Sequence, residues 1–254
     1  MFNSFLLGII QGIAEWLPIS SSGHLVLLQK FLKLQEDITF DIFLHLSSLI
    51  VVFIFFWEDI FQVSKAFFTF KKKTYEFKIS IYVILSSIIT GIIGIFLKKK
   101  EYILTNTNIL CFSFLFTAII LFFSKKETNK KLDWKKSLFI GLMQGIALFP
   151  GISRAGATIA GAKIVGVKNE EAFKFSFLIF IPAVIGALFM EFKEIRFINF
   201  NFLFIGFFTS LIVSCISITF LKNFVIKNKL HYFGYYCLFL SILTFIFFDI
   251  HLIK

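Results

Sequence analysis

Apolar residues gather in long blocks along the chain, separated by short stretches rich in lysine. Crossing a bilayer takes about 20 apolar residues of helix. Six blocks are long enough: 38–57, 79–97, 107–124, 170–190, 202–221 and 232–250. Two others, 2–16 and 137–149, are too short. As helices they reach only ~20–22 Å at 1.5 Å per residue, against a hydrocarbon core of about 30 Å. Each runs into a proline, Pro18 or Pro150, then into serine and glycine, then into a second short apolar arm, 24–32 or 156–167. Short arm, breaker, short arm predicts a re-entrant hairpin. Irregular backbone at that depth is tolerated only where protein or a polar cavity covers it. The alternative reading is that the short arms span, giving more crossings; against it, tilt cannot lengthen a short helix.

The two hairpins repeat one another. Gln11-Gly12-Ile13-Ala14 recurs as Gln144-Gly145-Ile146-Ala147, an offset of 133. With a one-residue gap, Trp16 matches Phe149, Pro18 matches Pro150 and Ser21 matches Ser153. Three spans follow each hairpin. Three is odd, so the second copy enters the membrane inverted relative to the first, a layout that brings broken helices together at a site. The predicted fold is an all-α integral membrane protein of six transmembrane helices and two re-entrant helical hairpins in an inverted-topology repeat. It forms a single membrane domain over 1–254, with halves at 1–124 and 137–250.

Composition agrees. Hydrophobic residues make up 58% of the 254 positions and charged residues 16%, and mean hydropathy is +0.88. One soluble core of this size cannot hide that much apolar surface. The net charge of +11 comes from 24 lysines, with only two arginines, Arg154 and Arg196. Such a balance in a soluble chain would suggest nucleic acid. Here the lysines sit at span ends, facing headgroups, and no nucleic-acid partner is expected. Lysine and arginine number 16 on one predicted face and 8 on the other, so the richer face is expected to be cytoplasmic and both termini outside. The N-terminus has no basic leader, and its apolar stretch carries Gln11 and Glu15, so it is expected to remain in the mature protein. Cys111, Cys215 and Cys237 lie far apart in apolar blocks and read as small buried hydrophobes.

The chemistry concentrates in the hairpins. In the first, Gln11 and Glu15 are four apart and share a helix face. A carboxylate there must face a polar cavity or a cation. Ser20, Ser21 and Ser22 follow, and His24 lies within reach of Ser21 if the second arm is helical from that point. Serine with histidine is the minimum for an activated nucleophile, and histidine with glutamate also suits a general acid beside a metal ligand. The second hairpin has neither acid nor histidine. Gly151, Ser153, Arg154, Gly156 and Thr158 instead form an anion cradle of helix N–H groups, hydroxyls and a forked guanidinium. Choosing arginine in so lysine-rich a chain points to phosphate. Together the hairpins describe phosphoryl chemistry at a membrane.

QGIAEWLPISSSGHL and PGISRAGAT resemble the two signature motifs of the bacterial undecaprenyl-diphosphate phosphatases, the bacitracin-resistance family. The resemblance runs from Gly8 to His24 and from Gly141 to Gly166, and the intervening spans fit in number and order. It implies hydrolysis of undecaprenyl diphosphate to undecaprenyl phosphate and inorganic phosphate, recycling the lipid carrier of peptidoglycan synthesis and conferring bacitracin resistance. It also implies a multi-pass protein of the bacterial plasma (inner) membrane, with an active site open to the outer face and a divalent cation, Mg2+ or Ca2+. The family's catalytic positions fall on Glu15, Ser21, His24, Arg154 and Thr158. Its acidic pair is represented by Gln11 and Glu15, so Glu15 is the expected metal ligand. Ser21 is the candidate nucleophile with His24 as base, against a rival in which an activated water attacks. The expected partners are the lipid substrate and the bilayer, and a homodimer is allowed for. A polyprenyl-phosphate transporter or flippase is the second reading, since inverted repeats and broken helices suit transport. A base beside a serine favours the enzyme.

Other polar residues read as structural. Asp41 and His45 share a helix face, and their role is left open. Gly91 and Gly94 suggest close helix packing. Residues 61–77 suggest an interfacial amphipathic segment with headgroup-facing lysines.

Overall fold

The computed structural model describes residues 1–34, 38–98, 109–125, 129–195 and 199–252, the side chains of 194 and 247–252 excepted. Arg196, the 99–106 loop and the first two residues of the 107–124 block lie outside the described residues. All the regular elements described are helices: α1 (Phe2–Ala14), α2 (Ser21–Phe31), α3 (Ile38–Phe55), α4 (Trp57–Phe68), α5 (Tyr75–Lys98), α6 (Ile109–Phe123), α7 (Trp134–Ile146), α8 (Arg154–Ile164), α9 (Asn169–Glu191), α10 (Phe200–Ile226) and α11 (His231–Leu252). Four of them, α3, α5, α9 and α10, are long and apolar enough to cross a bilayer. Where side chains are described, α6 and the His231–Ile246 stretch of α11 are apolar but shorter. The arms α1, α2, α7 and α8 have 13, 11, 13 and 11 residues, too few to cross alone.

The surface is apolar, unlike that of a water-soluble globule, and small polar residues are buried among the apolar side chains of the interior. Ile92, Phe112, Ile212, Ile216 and Phe239 are exposed, while Ser47, Ser86, Thr90, Thr117, Ser176 and Ser210 are buried. An apolar surface over an interior in which small polar residues tie the helices suits a solvent of lipid tails, where helices associate through close packing and hydrogen bonds. The chain is a multi-pass membrane protein.

Helix pairs follow small residues. The first arm α1 lies along α10, where a Cβ on Gly8 would stand 2.6 Å from the Gly206 carbonyl oxygen and one on Gly12 would stand 2.8 Å from that of Ser210. The arm α7 lies along α5 in the same way, with Gly141 against the Ser86 backbone and Gly145 against Ile93. Hydroxyls seal the seams: Ser47 donates to Ser210 at 2.8 Å, Ser86 to the Ser137 carbonyl at 2.7 Å, and Thr90 to the Gly141 carbonyl at 3.1 Å.

Helix directions can be read from the contacts. Phe56, just beyond α3, packs on Phe173 near the start of α9, while Ile42 near the start of α3 shares a cavity with Val184 and Leu188 late in α9, so α3 and α9 are antiparallel. Phe122 meets Tyr235 and Ser241 donates to the Cys111 carbonyl at 2.7 Å, so α6 and α11 are antiparallel too. α5 and α9 run parallel, tied at their starts by Tyr75 and Glu171 and at their ends by Lys98 Nζ donating to the Met190 carbonyl at 2.6 Å.

Two local expectations need adjustment. Gly94 is in packing contact, its would-be Cβ 3.4 Å from Leu148 Cδ1, but Gly91 meets nothing within 4 Å, so close packing does not explain it. The amphipathic segment is α4, ending at Phe68 rather than running to 77, with Trp57, Phe61 and Phe68 exposed and Ala66 buried. A turn follows, and α5 begins at Tyr75. At the start of α7, Asp133 caps the helix by accepting from the Lys136 N–H at 3.0 Å, and the Lys136 side chain beside it holds its carboxyl below the usual carboxylate range.

Candidate active site

Each hairpin tip is built by one serine. After α1 the chain turns through Glu15–Ile19, where Pro18 offers no N–H to continue a helix. Ser20 then caps α2 by accepting from the Gly23 N–H at 3.2 Å. After α7 the chain turns through Pro150 and Gly151 (φ +90°), and Ser153 caps α8 by accepting from the Gly156 N–H at 3.1 Å. The caps fix the correspondence between hairpins, and it carries no gap. At a constant offset of 133, Ser20 matches Ser153, Gly23 matches Gly156, Ile19 matches Ile152 and Pro18 matches Gly151. The gapped pairing of Ser21 with Ser153 and Pro18 with Pro150 is therefore corrected. Ser21 corresponds to Arg154, each the first residue of its helix.

The tips touch. A Cβ on Gly23 would stand 3.0 Å from Gly151 Cα, and one on Gly156 would stand 3.1 Å from Pro18 Cβ. Under the 133-residue offset each of these contacts maps onto the other. Glycine is required at 151 by its positive φ and by Ser113, whose Cβ would lie 2.7 Å from an added methyl.

Between the tips lies Glu15, 6% exposed. Its Oε2 accepts from Ser21 Oγ at 2.6 Å and from Gln11 Nε2 at 3.3 Å, and its Oε1 accepts from Arg154 Nη2 at 2.8 Å. The two matched residues thus hold opposite oxygens of one carboxylate. Arg154 also lies over the Phe180 ring, its Cζ 3.8 Å from the ring centroid, while Nε and Nη1 have no hydrogen-bond partner. The guanidinium keeps unused donors in a fixed plane, the arrangement that receives phosphate oxygens.

These groups open on a cavity of about 340 Å3. Glu15, Ser21, Ser22, His45, Gln144, Ser153 and Arg154 line its polar side, and Ala147, Leu148, Ala183, Val184, Ala187 and Leu188 its apolar side. Ser21 and Arg154 therefore face one volume.

Other expected residues lie elsewhere. The His24 ring is outside the cavity lining: Nδ1 lies 2.7 Å from the Ser20 carbonyl, Nε2 lies 2.8 Å from the Tyr236 hydroxyl, and the ring stacks on Tyr236. Facing a carbonyl, Nδ1 must carry the proton, so in the neutral ring Nε2 accepts from Tyr236. Thr158 is fully buried, donating to the Arg154 carbonyl at 2.8 Å and sharing a 2.5 Å hydrogen bond with Ser176. It fixes α8 to α9. The imidazole that does reach the cavity is His45, its Nδ1 3.4 Å from Gln11 Nε2 and 3.7 Å from Glu15 Oε2. Its position one turn after Asp41 made it visible in the sequence but did not single it out. Gln144 was visible only as the repeat mate of Gln11.

The donor set near Glu15 is hard. Beside the carboxylate lie the Ser21 hydroxyl and Gln11 Oε1, a buried amide oxygen without a hydrogen-bond partner. Hard divalent cations take such oxygen ligands. Among the described residues no three His, Cys, Asp or Glu side chains gather to hold a metal, so a cation here would draw its remaining ligands from substrate and water.

The family model described as "Bacitracin resistance protein BacA" matches residues 4–243. A protein of Thermosipho africanus named undecaprenyl-diphosphatase is 40% identical over 248 residues, 96% of this chain and 98% of its own. Proteins of the same name from Methanosphaera stadtmanae and Korarchaeum cryptofilum are each 37% identical, covering 97% and 94% of this chain and 97% and 96% of their own. With the family model spanning nearly all of it, the chain belongs to the bacitracin resistance protein BacA family.

Proposed function

We propose that the protein hydrolyses undecaprenyl diphosphate to undecaprenyl phosphate and inorganic phosphate, the activity for which its relatives are named. The observation that carries the proposal is the Glu15 carboxylate, held between Ser21 and Arg154 where the two hairpins meet. Arg154, with its unpartnered Nε and Nη1, and the first-turn N–H groups of α8 hold the diphosphate. Gly151, Ser153 and Gly156 shape that turn. Ser21 attacks the terminal phosphorus and Glu15 takes the hydroxyl proton. The bond from that phosphorus to the bridging oxygen breaks, undecaprenyl phosphate departs, and water then cleaves the phosphoserine. His24 acts as a positioning residue, holding the Ser20 carbonyl and hence the start of α2. Thr158 positions α8. A divalent cation, Mg2+ or Ca2+, held by Glu15 and the Gln11 amide oxygen, would neutralise charge on the diphosphate.

The halves 1–124 and 137–250 form an inverted-topology repeat in this reading, with six spans and two re-entrant hairpins. The swapped packing of α1 on α10 and α7 on α5 and the antiparallel pairs α3/α9 and α6/α11 support it. The protein is placed in the bacterial inner membrane with the cavity open to the outer face, supported by the lysine-rich opposite face.

Purified full-length protein in detergent, given undecaprenyl diphosphate with and without a chelator, should release phosphate only without it. Absence of phosphate release under any metal condition would overturn the phosphatase; full release with chelator would remove the cation.

A further inference from the structure

The cavity cannot hold the whole substrate. At about 340 Å3 it is near the lower end of the roughly 300–1,000 Å3 that accommodates drug-sized ligands, and an undecaprenyl chain is much larger. The chain must therefore leave through the wall, and the seam between α5 and α9 has the features of an exit. Gln144 closes its inner end, donating to Thr90 Oγ1 on α5 at 3.2 Å and to the Ile179 carbonyl on α9 at 3.3 Å. Gln144 is 1% exposed, yet its Oε1 has no partner and it lines the cavity, an independent sign that a ligand passes there. Lys98 on the Met190 carbonyl closes the outer end. From Thr90 to Lys98 is about 12 Å of helix at 1.5 Å per residue. Between these ties α5 carries Gly91 and Gly94, and α9 carries Ala183, Gly186 and Ala187. A side chain added at Gly91 or Gly186 would meet nothing within 4 Å. Leu148, a cavity residue, lies directly behind Gly94. Pro182 lies within α9 at the same level and leaves one helix carbonyl without its backbone donor.

We propose that this α5–α9 window, framed by Gly91, Gly94, Ala183, Gly186 and Ala187, is the lateral exit through which the prenyl chain of the bound substrate passes from the cavity into lipid. The proposal rests on the phosphatase reading, since it takes the diphosphate end to be held by Arg154. The missing side chains leave an apolar slot beside a polar cavity, which matches a ligand with a charged head and a hydrocarbon tail.

The test is a chain-length comparison on full-length protein. Gly94→Phe and Gly186→Phe each place a ring in the window without removing a polar group. Both should raise KM for undecaprenyl diphosphate by about tenfold, the low end of what a steric change in an apolar pocket supplies. Geranyl diphosphate, too short to need an exit, should be hydrolysed with kcat/KM unchanged within about twofold. No change on either substrate, or equal loss on both, overturns the window. Should the unaltered protein hydrolyse neither substrate, the phosphatase reading falls by itself. A benzophenone placed along the tail of undecaprenyl phosphate then decides the window: adducts on 88–98 or 182–191 support it, and adducts confined to other helices overturn it.

Discussion

The two hairpins share a scaffold and divide the chemistry. Each has a glycine-faced first arm, a serine cap and a glycine three residues beyond the cap, at one constant offset. Among the matched positions at which they differ, two bear on the chemistry. Where the first has Glu15 the second has Leu148, and where the first has Ser21 the second has Arg154. Because the tips meet across contacts that exchange under the offset, Ser21 and Arg154 arrive on opposite oxygens of the same carboxylate. Duplication alone would place two like groups there. Divergence at one matched position gives a hydroxyl facing a guanidinium, the pairing that phosphoryl transfer needs. Gly23 and Gly156, kept in both hairpins, let the tips approach, and in the proposed reaction the residues that differ, Ser21 and Arg154, would supply the reactivity.

Removing the guanidinium breaks the comparison most severely. Arg154→Ala leaves Glu15 buried without its counter-charge and the diphosphate without its grip, and either loss costs several kcal/mol. Phosphate release should fall about 10³-fold or more. Arg154→Lys should recover little, because an ammonium cannot reproduce the fork that reaches Glu15 through Nη2 while leaving Nε and Nη1 open. Near-normal turnover in the lysine variant would refute the grip.

Glu15 comes next. Glu15→Gln keeps the shape but cannot accept the Ser21 proton, and turnover should drop by about 10²- to 10³-fold. The metal response should vanish with it, read as activity against Mg2+ concentration. An undiminished metal response would exclude Glu15 as a ligand. Glu15→Leu, which copies the second hairpin into the first, should be at least as inactive.

Ser21 separates the two chemical routes. If it is the nucleophile, Ser21→Ala should lose about 10²-fold or more, and acid quenching of the native enzyme during turnover should trap phosphate on a peptide containing Ser21. Nearly full activity in the alanine variant would leave attack by water.

Much of this was legible beforehand, for identifiable reasons. A short apolar arm ending in proline cannot hide, because bilayer thickness sets an external ruler. Glu15 and Arg154 stand out because charge is expensive at that depth. What the chain did not disclose were distances between elements. His24 sits three residues from Ser21, yet a helix start turns its ring toward Tyr236, 212 residues away, and nothing local announces that partner. His45 reaches the cavity because α3 packs beside the first hairpin, a tertiary fact. The repeat register follows the serine caps and not the prolines, since the caps carry the geometry and Pro150 stands one residue before the position matching Pro18.

The smallest expected effect tests the caps themselves. Ser20 and Ser153 do the same work, each accepting one helix N–H, so Ser20→Ala and Ser153→Ala should each cost about 1 kcal/mol of stability. Their backbones differ, however. Ser153 has φ −71°, open to any residue, whereas Ser20 has φ +72°, where a side chain is strained. Glycine loses only a few tenths of a kcal/mol as a cap relative to serine and is at ease at positive φ. Ser20→Gly should therefore be neutral or slightly stabilising and Ser153→Gly destabilising, a difference in sign within one matched pair. Thermal inactivation midpoints in a single detergent would show it. Equal shifts for the two glycine variants would mean that the positive φ at Ser20 stores no strain. The tip of the first hairpin would then be held by its contacts with Gly151 and Phe114 rather than by its own backbone.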